Sequence, residues 1–281
     1  MYPAIAFVLL QSVILTAAAA AGEACDDPPI AITDVRVFDG QSVVPQATVI
    51  IQCTTISRIA NGSASLNLPA ASVSIDGQGR TLLPGLIDTH THTWSLTMLE
   101  RPLDFGVTTV VDMGSTNREF AASIRSQRTS GPARDRADLY SAVLWVTAPG
   151  SHGTQFGEVP TLIEPADAAD FVAARVDEGA DFIKIIYDNF KMFDQEIPTL
   201  GKETMQAVVT AAHAQGKLAV AHSRDVQAYA DVANAGVDGI VHLPVDEVPN
   251  NELIAVLREK GIWVGANLSL NRPTADIVIN D

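Results

Sequence analysis

The feature that most constrains the fold is an alternation of short β-branched segments with helix-like segments after residue 80. The extended segments are TLLPGLIDTH, GVTTVVDMG, DLYSAVLWVTA, DFIKIIYD, KLAVAHS, GIVHL and IWVGANLS. Segments such as PADAADFVAARVDEG and GKETMQAVVTAAHAQG lie between them, with apolar residues at helical spacing and a final glycine suited to a C-cap. Repeated strand–helix units predict a parallel sheet with right-handed crossovers.

The number of these segments leads to a specific fold prediction. Seven strands precede the end of the chain at Asp281, whereas a (β/α)8 barrel needs eight strands and about 250 residues. We therefore expect an α/β fold over residues 81–281, namely a (β/α)8-type TIM barrel that lacks strand 8. On this hypothesis the chain is a truncated barrel.

Residues 25–80 follow a different pattern. AITDVRVFDG, ATVIIQ and TISRIANG are short alternating runs, and two of them close at Asp-Gly or Asn-Gly. Such dipeptides are typical of turns between neighbouring strands. We expect a small N-terminal β unit of the sandwich type in front of the barrel.

The N-terminal segment predicts the compartment. Residues 1–22 carry no charged side chain and end in a run of alanines. The small-residue finish resembles a signal-peptide cleavage region over residues 1–21, although a basic n-region is missing. An uncleaved membrane anchor is the alternative. We expect a secreted or extracytoplasmic protein, and for Cys25 and Cys53 the sequence leaves both a disulfide and two separate thiols open.

The charge balance limits the partners. The net charge is −15, and the acidic residues are scattered along the chain. A polyanion such as nucleic acid is therefore excluded as a partner. We expect a small-molecule substrate, and association of identical chains is left open.

Nitrogen-bearing side chains recur at the ends of the predicted strands. His90 and His92 are two apart, so in an extended strand both face the same way and can reach one cation. Lys184 lies among isoleucines in FIKIIYD, while His222 ends KLAVAHS and His242 ends GIVHL. The C-terminal ends of barrel strands meet at one mouth. The sequence therefore predicts a metal site made of these five residues.

Three further residues are candidates near this mouth. His152 lies in the glycine-rich segment TAPGSHGTQFG after the third strand and is predicted to bind the substrate. Tyr187 directly follows the strand of Lys184 and is either a second substrate-binding residue or a structural one. Asp112 ends the second strand, and we expect it to be a hydrogen-bonding scaffold residue rather than a catalyst.

The ordered set of motifs resembles a known family. GLIDTHTH, a lysine in strand four and single histidines ending strands five and six resemble the amidohydrolase superfamily of metal-dependent hydrolases. GVTTVVDMG, GADFIKI and GKLAVAHS are similar to its imidazolonepropionase- and prolidase-like branch. The resemblance implies hydrolysis of a carbon–nitrogen bond in an amide, cyclic amide or dipeptide-like substrate.

The resemblance also implies a ligand set. His90 and His92 would bind one Zn2+ ion, a carboxylated Lys184 would bridge two such ions, and His222 and His242 would bind the second. A mononuclear, deaminase-like site is the alternative, but such a site does not call for a lysine in strand four and so leaves Lys184 unexplained. Two carboxylates remain in the C-terminal tail, Asp276 and Asp281.

The family pattern further implies an aspartate at the end of strand eight, which would move the proton of the attacking water. Neither tail carboxylate follows a convincing eighth strand, so the catalytic residue is unassigned. A catalytically impaired remnant that still binds metal or ligand is therefore the alternative to an active enzyme.

Overall fold

A computed structural model describes residues 27–62, 72–115, 117–128 and 135–267. The chain divides into two compact units between Pro84 and Gly85. The predicted signal peptide or anchor at 1–21 lies outside the described residues, as does Cys25, so export and the pairing of Cys25 with Cys53 stay predictions. In the part of the chain that is described, no helix has the length and hydrophobicity that crossing a bilayer requires.

The first unit contains a five-stranded mixed sheet. Its strands are β1 (Ile30–Phe38), β2 (Val43–Gln52), β3 (Thr55–Asn61), β4 (Val73–Asp76) and β5 (Thr81–Leu82). The order is β3-β2-β1-β4 with β5 also on β1; β2 is antiparallel to β1 and β3, whereas β4 and β5 run parallel to β1.

Alternation places one face of this sheet in a small core. Val35 and Val37 of β1 are buried with Ala47 and Val49 of β2, as the period of two along a strand requires. The described strands form one sheet, so the second layer of a β-sandwich stays a prediction.

The second unit carries the parallel strands that the sequence predicts. They are β6 (Leu86–Thr91), β7 (Val107–Asp112), β8 (Asp138–Ser141), β9 (Trp145–Val146), β10 (Ile183–Ile186), β11 (Ala219–His222), β12 (Gly239–Val241) and β13 (Trp263–Gly265). They form two parallel sheets, β6-β7-β8 and β9-β10-β11-β12-β13. The α/β class is thereby confirmed.

Helices connect these strands as crossovers. They are α1 (Thr97–Leu103), α2 (Arg118–Arg128), α3 (Ala168–Asp177), α4 (Lys202–Ala214), α5 (Val226–Ala235) and α6 (Asn251–Lys260). Short 3-10 turns cover 154–156, 165–167 and 191–193. The Asp225 side chain caps α5 by accepting from the amide of Ala228, and Gly236 ends it at a φ of 85°, a left-handed conformation that favours glycine.

The third predicted strand, 138–148, is not continuous. It splits into β8 and β9, which belong to different sheets, and Val143 between them has a φ of 60°. A β-branched residue rarely adopts this conformation. The Ser141 hydroxyl stabilises the break, since it accepts from the amide of Val143 at 2.9 Å.

The core of this unit lies under the five-stranded sheet. Strands β10, β11 and β12 are buried along their whole length, and their side chains pack with those of α3, α4 and α5. Among the described strands, no ladder joins β6 to β13 or β8 to β9. A closed barrel and the lack of strand 8 therefore stay predictions.

Candidate metal centre

Four imidazole rings meet at the C-terminal ends of β6, β11 and β12. The ring centroids of His90 and His92 are 5.4 Å apart, those of His90 and His242 are 4.8 Å apart, and those of His222 and His242 are 4.3 Å apart. The structure thus brings together all four histidines that the sequence predicts as ligands, although they are up to 152 positions apart in the chain.

The fifth predicted ligand, Lys184, lies in the same cavity. The cavity has a volume of about 300 Å3, and the candidate ligands His90, His92, Lys184, His222 and His242 all line it. The Lys184 side chain is 3% exposed, and within the described residues its Nζ has no hydrogen-bond partner. Burial holds the pKa of Lys184 well below its usual value, because a desolvated ammonium is costly.

Hydrogen bonds select which ring nitrogen is available at two of the histidines. His92 Nδ1 lies 2.7 Å from the carbonyl oxygen of Gly114. A carbonyl only accepts, so Nδ1 carries the proton and Nε2 keeps its lone pair. His222 Nε2 likewise lies 2.9 Å from Asp188 Oδ2, which leaves Nδ1 of His222 free to bind a cation.

Asp188 and Arg224 form a buried pair behind His222. Asp188 Oδ2 also accepts from Arg224 Nε at 2.6 Å, while its Oδ1 accepts from the amide of Phe190. Burial by itself raises the pKa of Asp188, but the hydrogen bonds from His222, Arg224 and the amide of Phe190 together lower it to about 2. The carboxylate is therefore ionised at neutral pH and holds the His222 ring in place.

The sequence did not point to Arg224. Its guanidinium lies 4.1 Å from the ring centroid of Phe190 and 4.7 Å from that of Phe193, and it lines the cavity. The only available signal was a cationic residue two positions after His222, and a single surface-type residue in a loop gives no sign of its partners.

Asp112 supports the other side of the site. It is fully buried and accepts from the amides of Thr93 and Gly114 and from the hydroxyl of Ser141, the last at 2.6 Å. These contacts tie the loop after β6 to the ends of β7 and β8. The expected scaffold role of Asp112 is confirmed.

His152 and Tyr187 lie in different places. The His152 ring centroid is 4.9 Å from that of His222, and the side chain lines the cavity of the candidate ligands. Burial lowers the pKa of His152 to about 4. Tyr187 instead donates its hydroxyl to Asp231 at 3.0 Å and lines a separate cavity, so the structure does not bring Tyr187 to the candidate ligands.

The donor chemistry fits a transition-metal ion. Burial lowers the pKa of His90 to about 2, of His222 to about 3 and of His242 to about 2, so these rings are neutral, as ligands must be. His90 Nδ1 and Lys184 Nζ are buried without a hydrogen-bond partner among the described residues. Within those residues, no three His, Cys, Asp or Glu side chains already have the arrangement of a metal site.

The backbone at His242 is strained in a way that is common at functional sites. Its φ is 73°, which is unusual for a residue other than glycine. The conformation is fixed on both sides, because the amide of His242 donates to the carbonyl of Gly265 at 2.9 Å and its carbonyl accepts from the Tyr229 hydroxyl.

Comparison with known proteins identifies the family. Residues 81–280 match the model of the amidohydrolase family, so the chain belongs to this family, as the sequence motifs predicted. A deacetylase from Agrobacterium fabrum, Atu3266, is 32% identical over 118 residues. That segment covers 40% of this chain and only 29% of the deacetylase.

Solved structures show the same fold at lower identity. A Xaa-Pro dipeptidase with bound methionine superposes with a TM-score of 0.70 at 23% identity, over 88% of this chain and 69% of the other. A prolidase in complex with N-methylphosphonate-L-proline gives 0.69 at 18% identity, over 84% and 65%. An ochratoxinase from A. niger gives 0.69 at 17% identity, over 89% and 67%.

Proposed function

We propose that this chain is a metal-dependent hydrolase of carbon–nitrogen bonds with a binuclear zinc site. The observation that carries the proposal is the convergence of His90, His92, Lys184, His222 and His242 on one cavity of about 300 Å3. Family membership supports hydrolysis, and so do the names of the similar proteins, which include a deacetylase, a dipeptidase and a prolidase. A small-molecule amide, cyclic amide or dipeptide-like compound is the proposed substrate.

Each of the five side chains would be a metal ligand. His90 and His92 would hold one ion and His222 and His242 the other, with Lys184 between them. Zinc bound there would polarise the substrate carbonyl and lower the pKa of a water molecule. The hydrogen bonds to Gly114 and Asp188 hold His92 and His222 in the tautomers that leave one ring nitrogen of each available for a metal ion.

Burial of Lys184 also supports the proposed carboxylation. A neutral amine can attack carbon dioxide, whereas an ammonium cannot, and the lowered pKa of Lys184 favours the neutral form. Nitrogen forms a bond to the carbon of carbon dioxide and releases a proton, which gives an anionic carbamate. The modification converts an unpartnered nitrogen into an oxygen ligand.

The position of His152 supports a role in binding the substrate. The side-chain amide nitrogen of Gln155 lies 2.9 Å from Nδ1 of His152 and donates to it. Nδ1 of His152 is therefore the acceptor, and Nε2 carries the proton. The ring lies at the cavity wall, where an Nε2–H can donate to a carbonyl or carboxylate oxygen of the substrate. The group that moves the proton of the attacking water remains unassigned.

The test combines metal content with hydrolysis. We expect two zinc ions per chain by mass spectrometry after loading and dialysis, and fewer in Lys184→Ala and His92→Asn. His213→Asn is the matched control, since His213 is an exposed histidine of α4 that bonds Asp238 away from the cavity. One tightly held ion that Lys184→Ala leaves in place would overturn the binuclear site in favour of a mononuclear one.

The same preparations decide between enzyme and remnant. An active enzyme hydrolyses members of a panel of N-acyl amino acids and dipeptides only when zinc is present. A full-length chain that holds zinc and cleaves none of them would be the catalytically impaired form, which retains metal or ligand binding.

A further inference from the structure

A second cavity lies beside the candidate metal centre. It has a volume of about 460 Å3 and is lined by His92, Trp94, Gly114, Ser115, Trp145 and Phe156, which we call the aromatic cleft. Three of these residues, His92, Trp145 and Phe156, also line the cavity of the candidate ligands. The two cavities therefore share a wall, and a molecule in the cleft lies next to the metal centre.

The cleft has one rigid aromatic wall and two accessible ones. Trp145 is 4% exposed, whereas Trp94 and Phe156 are 56% and 60% exposed. The rings of Trp145 and Phe156 meet edge to face, with centroids 6.1 Å apart and an angle of 80° between the planes. Rings in this contact form a continuous apolar surface, and such a surface favours the packing of a flat apolar group against it.

Two glycines keep the Trp145 ring in this position. A Cβ atom on Gly114 would lie 2.7 Å from Cε3 of the indole, and one on Gly153 would lie 2.2 Å from Nε1. Both glycines have φ values near 100°, at 112° and 100°, where other residues are strained. Gly114 also accepts from His92, so the same backbone positions the cleft wall and a candidate ligand.

The lining of the cleft includes a buried hydroxyl group. The Ser115 side chain is 6% exposed, and its Oγ is buried with no hydrogen-bond partner in the part of the chain that the structure describes. A buried hydroxyl without a partner is costly. A polar substituent on a bound ring would satisfy it.

We propose that the substrate carries an aromatic group that binds in the aromatic cleft while its scissile bond lies at the metal centre. This inference rests on the proposed hydrolase function and specifies its substrate class. The ring packs against Trp94, Trp145 and Phe156, and Ser115 bonds to a polar substituent on it. Because His92 lines both cavities, a ring in the cleft lies next to the candidate ligands.

The first experiment compares paired substrates on the zinc-loaded full chain. N-benzoyl and N-acetyl amino acids differ on the acyl side, and the benzylamide and methylamide of one amino acid differ on the amine side. We expect kcat/KM to be at least about tenfold higher for the aromatic member of one pair, the size of effect that about 1.4 kcal/mol of aromatic packing gives. Hydrolysis with no aromatic preference in either pair would overturn the inference and leave the hydrolase function standing.

Variants locate the preference. Trp94→Ala and Phe156→Ala should each reduce the aromatic-to-methyl ratio about three- to tenfold, because each removes one wall of the cleft. Both side chains are more than half exposed, so folding should be little affected. Phe105→Ala is the matched control, since Phe105 is 81% exposed and does not line either cavity; an equal change there would contradict the assignment.

Binding gives a readout that does not need catalysis. Benzamide and acetamide are titrated against the chain by calorimetry and by saturation-transfer NMR. Benzamide should bind at least about tenfold more tightly, and the Trp94→Ala, Phe156→Ala double variant should remove this difference. If benzamide binds in the cleft but no substrate is cleaved, the cleft stands and the hydrolase function fails. Equal weak binding of both compounds would overturn the cleft.

Discussion

Both parallel sheets of the second unit carry candidate metal ligands, but the strands that carry them differ greatly in burial. β10, β11 and β12 are buried at every residue, whereas β6 leaves Leu86 and Ile87 at least half exposed. Lys184, His222 and His242 therefore lie on or next to strands that the core fixes. His90 and His92 end a strand that the core hardly touches.

Polar contacts rather than packing hold the C-terminal end of β6. His92 is held by the Gly114 carbonyl, and Asp112 ties Thr93, Gly114 and Ser141 together. In the five-stranded sheet, burial already fixes the position of His222. The hydrogen bond that His222 donates to Asp188 holds the ring further. The hydrophobic core therefore positions Lys184, His222 and His242. A buried carboxylate and one backbone carbonyl position the other half of the site.

The largest difference between the sheets should appear in stability. Ile185→Ala should lower the free energy of unfolding by about 2–5 kcal/mol, because Ile185 is fully buried and leaves a cavity. Ile87→Ala should change it by less than about 0.5 kcal/mol, because Ile87 is 61% exposed. Urea unfolding followed by circular dichroism measures both, and equal losses would show that the face of β6 is covered in solution.

The next effect is acid destabilisation of the metal-free protein. The pKa values of His90, His152, His222 and His242 are lowered by burial to about 2, 4, 3 and 2, so the unfolded state binds protons below pH 6.5 while the folded state does not. Stability should fall as pH drops from 6.5, by about 1 kcal/mol per histidine down to pH 5.5 and about 4 kcal/mol in total.

Urea unfolding in the presence of a chelator, repeated from pH 7.5 to pH 5.5, measures this slope. His242→Asn should reduce the slope by about one quarter, because one of the four neutral rings is gone. A stability that does not change over this range would contradict buried neutral imidazoles.

Substitutions of two glycines that flank β7 separate the effect of packing on stability from the effect of backbone strain. Gly114→Ala and Gly106→Ala both place alanine at a positive φ, but only the Gly114 variant brings Cβ within 2.7 Å of Trp145. We expect Gly114→Ala to lose about 1–3 kcal/mol more than Gly106→Ala, with weaker zinc binding through His92. Thermal unfolding and zinc titration of the pair check this, and equal losses would show that the indole moves freely.

The smallest effect has the opposite sign. Lys184→Met should raise the stability of the metal-free chain by about 1 kcal/mol, because it removes a buried polar group that lacks a hydrogen-bond partner among the described residues. Zinc content should fall at the same time. Lys202→Met, which breaks an exposed ion pair with Asp231, should cost between about 0 and 1 kcal/mol. A loss of stability in Lys184→Met without zinc would contradict this account of the site.

Much of the second unit could be predicted because burial leaves a local signature. Strands covered on both faces read as continuous β-branched runs, and such a run surrounds Lys184. Histidines at the ends of such runs could be assigned to one edge, because parallel strands share their direction. The break at Val143 could not be predicted, since it depends on a change of sheet and on a hydrogen bond that the Val143 amide donates to the Ser141 hydroxyl.

The contacts that the sequence missed share a physical reason. His222 and Arg224 lie 34 and 36 positions after Asp188, and only the fold makes the three a bonded group. The aromatic cleft likewise brings together Trp94 from the loop after β6, Trp145 from β9 and Phe156 from the 3-10 turn at 154–156. Isolated aromatic residues in a sequence look like core residues, and their exposure in a cavity is a property of packing.

The sequence by itself determined the α/β class and the five nitrogen-bearing candidates, because periodicity along a strand or helix is a local property, and the resemblance of its motifs gave the family. The tertiary structure decided which imidazole nitrogen is free, that His152 rather than Tyr187 faces the candidate ligands, and that an aromatic cleft adjoins them. Each of these depends on distances between residues far apart in the chain, and such distances are fixed only when the strands and loops pack together.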